Sequence, residues 1–204
     1  MTERRLLIAS NNAHKVTEFQ RLLGGSGYTL VTPRDIGLEL DVEETGRTFT
    51  ANARLKALAF AQASGITAMA DDSGIEADAL GGRPGVLSAR YGGPGLDDEG
   101  RVQLLLRELD GVPEPARTCR YKVVLVLMEP DGYHHLSTEG SCEGVVAPAP
   151  SGSNGFGYDP VFYVPEYGKT VAEMSPDEKD AISHRGQATR AMALALASYR
   201  GTSV

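Results

Sequence analysis

The sequence predicts an α/β fold, a mixed central β-sheet flanked by helices. Three observations carry that expectation. Short apolar runs alternate along the chain with segments of helical periodicity, the pattern of strands covered by helices. A Pro130-Asp131-Gly132 turn follows a β-branched apolar run and demands an antiparallel hairpin beside any parallel pairing. With 41% hydrophobic and 23% charged residues, and no tract biased toward disorder or repeats, the composition is that of an ordinary globular chain.

Taken in order, Leu6 to Ala9 reads as a buried strand. This run is too brief for a signal-peptide core or a membrane span, so export is not expected and a cytoplasmic protein is. Val16, Phe19, Leu22 and Leu23 then recur at helical spacing until Gly24-Gly25 ends the pattern. Thr29 to Val31 is a second strand, followed by a polar segment carrying Glu39, Asp41, Glu43 and Glu44. An alanine-rich helix runs from about Thr48 to Ala63 and is closed by Gly65. Ile66 to Ala70 is a short strand that delivers Asp71-Asp72-Ser73-Gly74 at its carboxyl end, where open α/β sheets form ligand crevices. Glycine-rich turns follow at 81–85 and 92–95.

Asp97 caps a helix running to Leu109, and Lys122 to Met128 is a further strand. Ser175-Pro176-Asp177-Glu178 has the form of a helix start, with Ser as cap, Pro at the first helical position and Glu at the third. A terminal helix carries Ala188, Met192 and Leu196 on its apolar side. At 204 residues the chain is expected to form a single domain over 1–204, long enough to bury roughly 70% of the surface its unfolded form exposes.

A net charge of −7 argues against a nucleic-acid surface, which needs clustered cations, so any phosphate site is local. The two cysteines, Cys119 and Cys142, have neither CxxC spacing nor histidine partners, and read as reduced thiols without a catalytic role.

The candidate chemistry begins at Ser10-Asn11-Asn12-Ala13-His14-Lys15, which joins the first strand to the first helix. Helix amino termini present N–H groups that bind phosphate, and Lys15, a cation in the first turn, opposes the helix dipole unless a negative charge neutralises it. This segment alone reads equally as a phosphate site or as a surface lysine on an asparagine-capped turn. Glu43-Glu44 and Asp71-Asp72 are adjacent carboxylates of the type that hold Mg²⁺ together with substrate phosphate oxygens. The first pair alone reads as a solvated turn; the second, following a buried strand, favours function. Lys56 shares a helix face with Phe49, Ala53 and Phe60, and points inward or toward a cleft wall. Downstream, Phe156-Gly157-Tyr158-Asp159 combines an aromatic ring with a carboxylate, and Lys179 and His184-Arg185 add cations that suit a nucleobase.

An uninterrupted helix sets Lys179 and His184 roughly 140° apart, too far to share one small site. A break near Ile182-Ser183 is therefore expected, with Ser183 capping the last helix. Two familiar phosphate fingerprints fail. Gly168-Lys169-Thr170 lacks the first P-loop glycine, which is Tyr163 here, and Gly155-Phe156-Gly157 meets Pro160 where the dinucleotide fold needs its last glycine.

Seven segments, in this order, resemble the inosine-triphosphatase family of non-canonical purine NTP pyrophosphatases: Ser10 to Lys15, Glu43 to Gly46, Ala70 to Gly74, Leu80 to Gly85, Ser88 to Tyr91, Gly155 to Pro160, and Ser183 to Arg185. The resemblance spans nearly the whole chain. It implies two lobes around an active-site cleft, a homodimer, and Mg²⁺-dependent cleavage of dITP, ITP or XTP to monophosphate and pyrophosphate. It also implies Asp72 as proton acceptor and metal ligand, Glu43 as a second metal carboxylate, and Lys56 near the triphosphate. Ser10, Asn11, Asn12, Ala13, His14, Lys15 and Ser73 become substrate contacts, with Phe156, Gly157, Tyr158, Asp159, Lys179, His184 and Arg185 completing the nucleotide pocket. Many relatives carry small residues where this chain has Asn11 and His14.

Overall fold

Leu6, Leu7 and Ile8 are all fully buried, on both faces of the strand that contains them, as expected of an interior strand with parallel neighbours. The computed structural model describes residues 4–199. In it β1 (Arg5–Ile8) lies between β2 (Thr29–Val31) and β3 (Ala68–Ala77), parallel to both, with Leu6 opposite Leu30 and Leu7 opposite Ala68. The full sheet has seven strands in the order β2-β1-β3-β4-β5-β6-β7. Its further strands are β4 (Thr118–Met128), β5 (His135–Val146), β6 (Phe162–Val164) and β7 (Lys169–Thr170), and β6 is antiparallel to both β5 and β7. The sheet is mixed and the fold α/β, as the sequence predicts.

Helix boundaries follow their local chemistry. In α1 (Ala13–Leu23) the Asn12 side chain accepts from the Lys15 N–H at 3.1 Å. In α2 (Phe49–Ser64) Thr48 accepts from Ala51 at 3.1 Å, and Gly65 closes the helix. Asp97 caps α3 (Asp98–Glu108) through Gly100, and Ser175 with Glu178 forms a reciprocal capping box on α4 (Pro176–Ile182). Between β4 and β5, Glu129 N–H donates to the His134 carbonyl at 2.9 Å, while Asp131 accepts from the amides of Tyr133 and His134. That is the hairpin the Pro-Asp-Gly turn requires.

Chain segments collect into two compact units, one from the segment ending at Asp72 with Val123–Gly140 and the segment from Arg185 on, the other from Ser73–Lys122 and Ser141–His184. The first has a core of Leu6, Ile8, Phe19, Leu23, Met69, Leu125 and Leu127, completed by Ala188, Met192 and Leu196 of α5 (His184–Ser198). Those three recur at i, i+4 and i+8, one stripe of the helix. The second unit packs Ile75, Leu105, Leu109, Cys119, Tyr121, Cys142, Tyr158 and Phe162 together. Each large side chain buried this fully contributes about 1.5–3 kcal/mol. Both cysteines are free and buried.

Two features differ from expectation. Strand β3 does not end at Ala70 but continues to Ala77, so Asp71 and Asp72 lie within a strand rather than in a loop after one. Strands β6 and β7, of three and two residues, carried no readable pattern. The helix break is where geometry demanded it: Ser183, at φ −64° and ψ 153°, separates α4 from α5. Among the described residues no helix is long and apolar enough to cross a membrane.

Candidate active site

Successive residues of a strand point to opposite faces, so Asp71 and Asp72, neighbours in β3, address different partners. Asp71 is almost wholly buried. Its Oδ2 accepts from Lys15 Nζ at 2.9 Å and from Arg185 Nη2 at 3.2 Å, and Arg185 Nη1 donates to Glu18 Oε2 at 2.8 Å. Asp72 Oδ2 accepts from Asn52 Nδ2 at 2.9 Å, and Asp72 Oδ1 lies 3.8 Å from Lys56 Nζ. Lys56 also pairs with Glu44. All these groups belong to the first unit.

Adjacent carboxylates here have opposite electrostatics. Burial opposes ionisation of Asp71, but Lys15, Arg185 and Lys56 outweigh it and hold the carboxyl well below the usual range. Burial dominates at Asp72 and pushes it up to about 6, Glu44 acting in the same direction, against Lys56 and the Asn52 hydrogen bond. The lysines diverge too. Burial lowers Lys15, with Arg185 and Lys56 adding to the effect against Asp71. For Lys56 burial is outweighed by Asp71, Asp72 and Glu44, and its pKa is raised. An ammonium that burial and two cations disfavour gains most from an arriving anion.

Asn52 is fully buried on α2 and serves two elements at once. While its amide holds Asp72, its Oδ1 accepts from Gly46 N–H at 2.8 Å and fastens the acidic loop to the helix. The approach is so close that a Cβ on residue 46 would lie 2.5 Å from Asn52 Oδ1, which is why glycine stands there. Within that loop the structure turns Glu44, not Glu43, toward Lys56, while Glu43 is exposed. In the Ser10 to Lys15 segment, Asn12 N–H donates to Ser10 Oγ at 3.2 Å and Asn11 Nδ2 to the Leu40 carbonyl at 3.1 Å, while His14 is exposed. Asn11 lines an open groove of about 630 Å³ with Arg34, Leu38, Leu40 and Asp41.

The second unit holds a separate polar cluster. Asp159 Oδ2 accepts from Lys179 Nζ at 2.7 Å and from the Phe156 N–H at 2.9 Å, and Asp159 Oδ1 accepts from the Tyr121 hydroxyl at 3.1 Å. Lys179 Nζ lies 4.9 Å from the centre of the Phe156 ring, a cation–π contact. Gly155, at φ +76°, has no room for a Cβ, which would fall 2.0 Å from Asp159 Oδ2. Gly157 N–H donates to Asp98, and the Tyr158 hydroxyl to the Ser88 carbonyl. The His184 ring stacks on Tyr121 with centroids 4.7 Å apart. Ser73 is half-buried and opens this unit's part of β3.

The structure therefore brings Lys15, Lys56 and Asp72 together in one unit, and Phe156, Asp159, Lys179 and His184 in the other. Arg185 bonds Glu18 and Asp71 and lies over the Phe19 ring, 5.7 Å from its centre, its side chain 3% exposed. Sequence reasoning missed Glu18, Asn52 and Tyr121, and named Glu44 only as one of an acidic pair. Asn52 stands four residues before Lys56 and Glu18 three after Lys15, helical spacings that could have found them.

Residues 6–195 match the model of the Ham1 family. The chain belongs to that family. This Ham1 chain is 48% identical over 186 residues to the dITP/XTP pyrophosphatase of Desulforamulus reducens, covering 91% of this chain and 92% of the relative. It is 52% identical to a dITP/XTP pyrophosphatase of Thermus thermophilus, covering 92% and 89%. The solved HAM1 protein of Coxiella burnetii superimposes with a TM-score of 0.87 at 40% identity, covering 96% of this chain and 100% of that one. The resemblance read from the seven segments is thereby borne out.

Proposed function

We propose that this Ham1 chain hydrolyses non-canonical purine nucleoside triphosphates, dITP, ITP and XTP, to the nucleoside monophosphate and pyrophosphate. The observation that carries the reading is the convergence of two lysines, from two helices, on adjacent carboxylates of one strand. It supports a triphosphate site in a chain whose relatives are named dITP/XTP pyrophosphatase.

In this reading Asp72, held through Oδ2 by Asn52, takes a proton from water as the water oxygen bonds to the α-phosphorus. The bridging bond to the β-phosphate breaks, and Lys15 and Lys56 neutralise the charge gathering on the departing pyrophosphate. Phe156, Asp159, Lys179 and His184 serve the base. Arg185 acts on the phosphate side, by holding Asp71.

The donor set suits Mg²⁺. Lys15, Lys56 and Arg185 oppose four carboxylates, Glu18, Glu44, Asp71 and Asp72, so the cluster needs added positive charge before it accepts a polyanion. Among the described residues no group of three or more His, Cys, Asp or Glu forms a metal cage. Mg²⁺ is characteristically bound by one or two carboxylates plus substrate oxygens. Asp72 and the Glu43-Glu44 loop would hold it. When bound, it supplies Lewis-acid stabilisation of phosphoryl charge.

We read both units as one catalytic domain, acting in the cytoplasm and as a homodimer. The test is pyrophosphate release with Mg²⁺. Turnover of dITP and XTP at about 10²-fold or more over dATP and dTTP is expected. Equal turnover of dTTP would instead favour a pyrimidine-directed pyrophosphatase, and no release at all a nucleotide-binding regulator.

A further inference from the structure

Tyr121 is absent from every segment that carries the family resemblance, yet it touches the base-side cluster at two points. Its hydroxyl donates to Asp159 Oδ1 at 3.1 Å. Its ring stacks on His184 at 4.7 Å and 20°, and on Phe162 at 4.2 Å and 15°. The side chain is 8% exposed on β4, within the second unit. Through Asp159 the contact extends to Lys179 Nζ and to the Phe156 amide, both bonded to the other carboxylate oxygen.

We propose that Tyr121 is a positioning residue for base recognition, its hydroxyl fixing Asp159 and its ring fixing the His184 imidazole in one mutual arrangement. The inference rests on the reading that Asp159, Lys179 and His184 face the base.

Three features support it. A carboxylate with both oxygens held cannot rotate, so the Lys179 ammonium bonded to it is also held. Burial, reinforced by Asp159, keeps the phenol well above its ordinary pKa, so the hydroxyl remains a donor at all physiological pH. The cavity against the ring, lined by Tyr121, Cys142, Lys179, Ile182, Ser183 and His184, measures about 10 Å³. That is at the lower limit for one water, so the stacked rings are packed in place. Discrimination between purines that differ in one exocyclic group depends on donors and acceptors held in fixed positions, because a mismatched buried polar group then has no alternative partner.

Tyr121→Phe tests this, since it keeps the ring stack and removes only the donor. The KM for dITP is expected to rise about 10-fold, with kcat within about 3-fold, because the proton transfer and phosphate contacts belong to other residues. The preference for dITP over dGTP is expected to fall by a similar factor. In an Asp159→Asn background the same substitution should have an effect at least about 3-fold smaller, as coupled residues do. Should Tyr121→Phe fail to fold, Asp159→Asn alone must show the same split of raised KM against retained kcat.

An unchanged KM and preference in Tyr121→Phe, a fall in kcat alone, or full additivity with Asp159→Asn overturns the proposal. If these hold while wild-type protein still cleaves dITP, only the positioning role is lost. If wild-type protein does not cleave dITP, the functional reading fails and this inference fails with it.

Discussion

Asp71→Asn is expected to destabilise the protein by about 3–5 kcal/mol at pH 7, the cost of removing one partner from a buried charge network. Asp71 is 2% exposed and accepts from both Lys15 and Arg185, so the neutral isostere leaves two largely buried cations with less compensation. For a chain of this size that corresponds to a fall in Tm of roughly 10 °C. The folded-state pKa lies far below the ordinary carboxylate value, so the stabilisation is complete above that value and is lost as pH falls toward the folded pKa. The difference between wild type and Asp71→Asn in urea unfolding should therefore be largest near pH 7 and shrink toward pH 3. A penalty under about 1 kcal/mol at pH 7 would contradict the network described.

The neighbouring residue should behave in the opposite way. Burial, with Glu44 adding, raises Asp72 to about 6, so the folded state binds this proton more tightly than the unfolded chain does. Its contribution to stability is fully present below the ordinary carboxylate value and is lost as pH rises through about 6. At pH 8 and without metal, the ionised carboxylate costs the fold about 2–3 kcal/mol, since each tenfold difference in proton affinity between the folded and unfolded chain is worth about 1.4 kcal/mol. Asp72→Asn should remove that cost, raising stability in urea at pH 8, while lowering kcat by about 10²–10⁴-fold through loss of the base. Gain of stability with loss of turnover is the pattern of a functional group held under strain. Near wild-type turnover in Asp72→Asn would remove the residue from its role as base.

The contrast between these two aspartates was not legible in the chain. Asp71-Asp72-Ser73-Gly74 interrupts apolar alternation, and so reads as the end of a strand. In the structure it is the middle of one, because β3 carries functional polar groups where a purely structural strand would carry valine. Local consistency fails where function intrudes. Elements governed by local rules were legible: the caps Asp97 and Ser175, the start of α2 near Thr48, the apolar stripe of α5, and the turn at Asp131. Strands β6 and β7 were not, since three and two residues are held by partners distant in sequence rather than by any pattern of their own.

The same distinction divides the candidate site. Geometry alone demanded a break before His184, and Ser183 supplies it. Glu44 could not be told from Glu43 by sequence, because which of two adjacent carboxylates turns inward is decided by how Asn52 ties Gly46 to α2. Tyr121 gave no signal beyond its place in an alternating strand.

In the proposed reaction, water activated beside Asp72 attacks the α-phosphorus of a non-canonical purine triphosphate. Hydrolysis of dITP in ¹⁸O-labelled water, with the products separated and weighed by mass spectrometry, tests it most directly. One ¹⁸O atom is expected in the deoxyinosine monophosphate and none in the pyrophosphate. Label in the pyrophosphate, or orthophosphate as the released product, would contradict it.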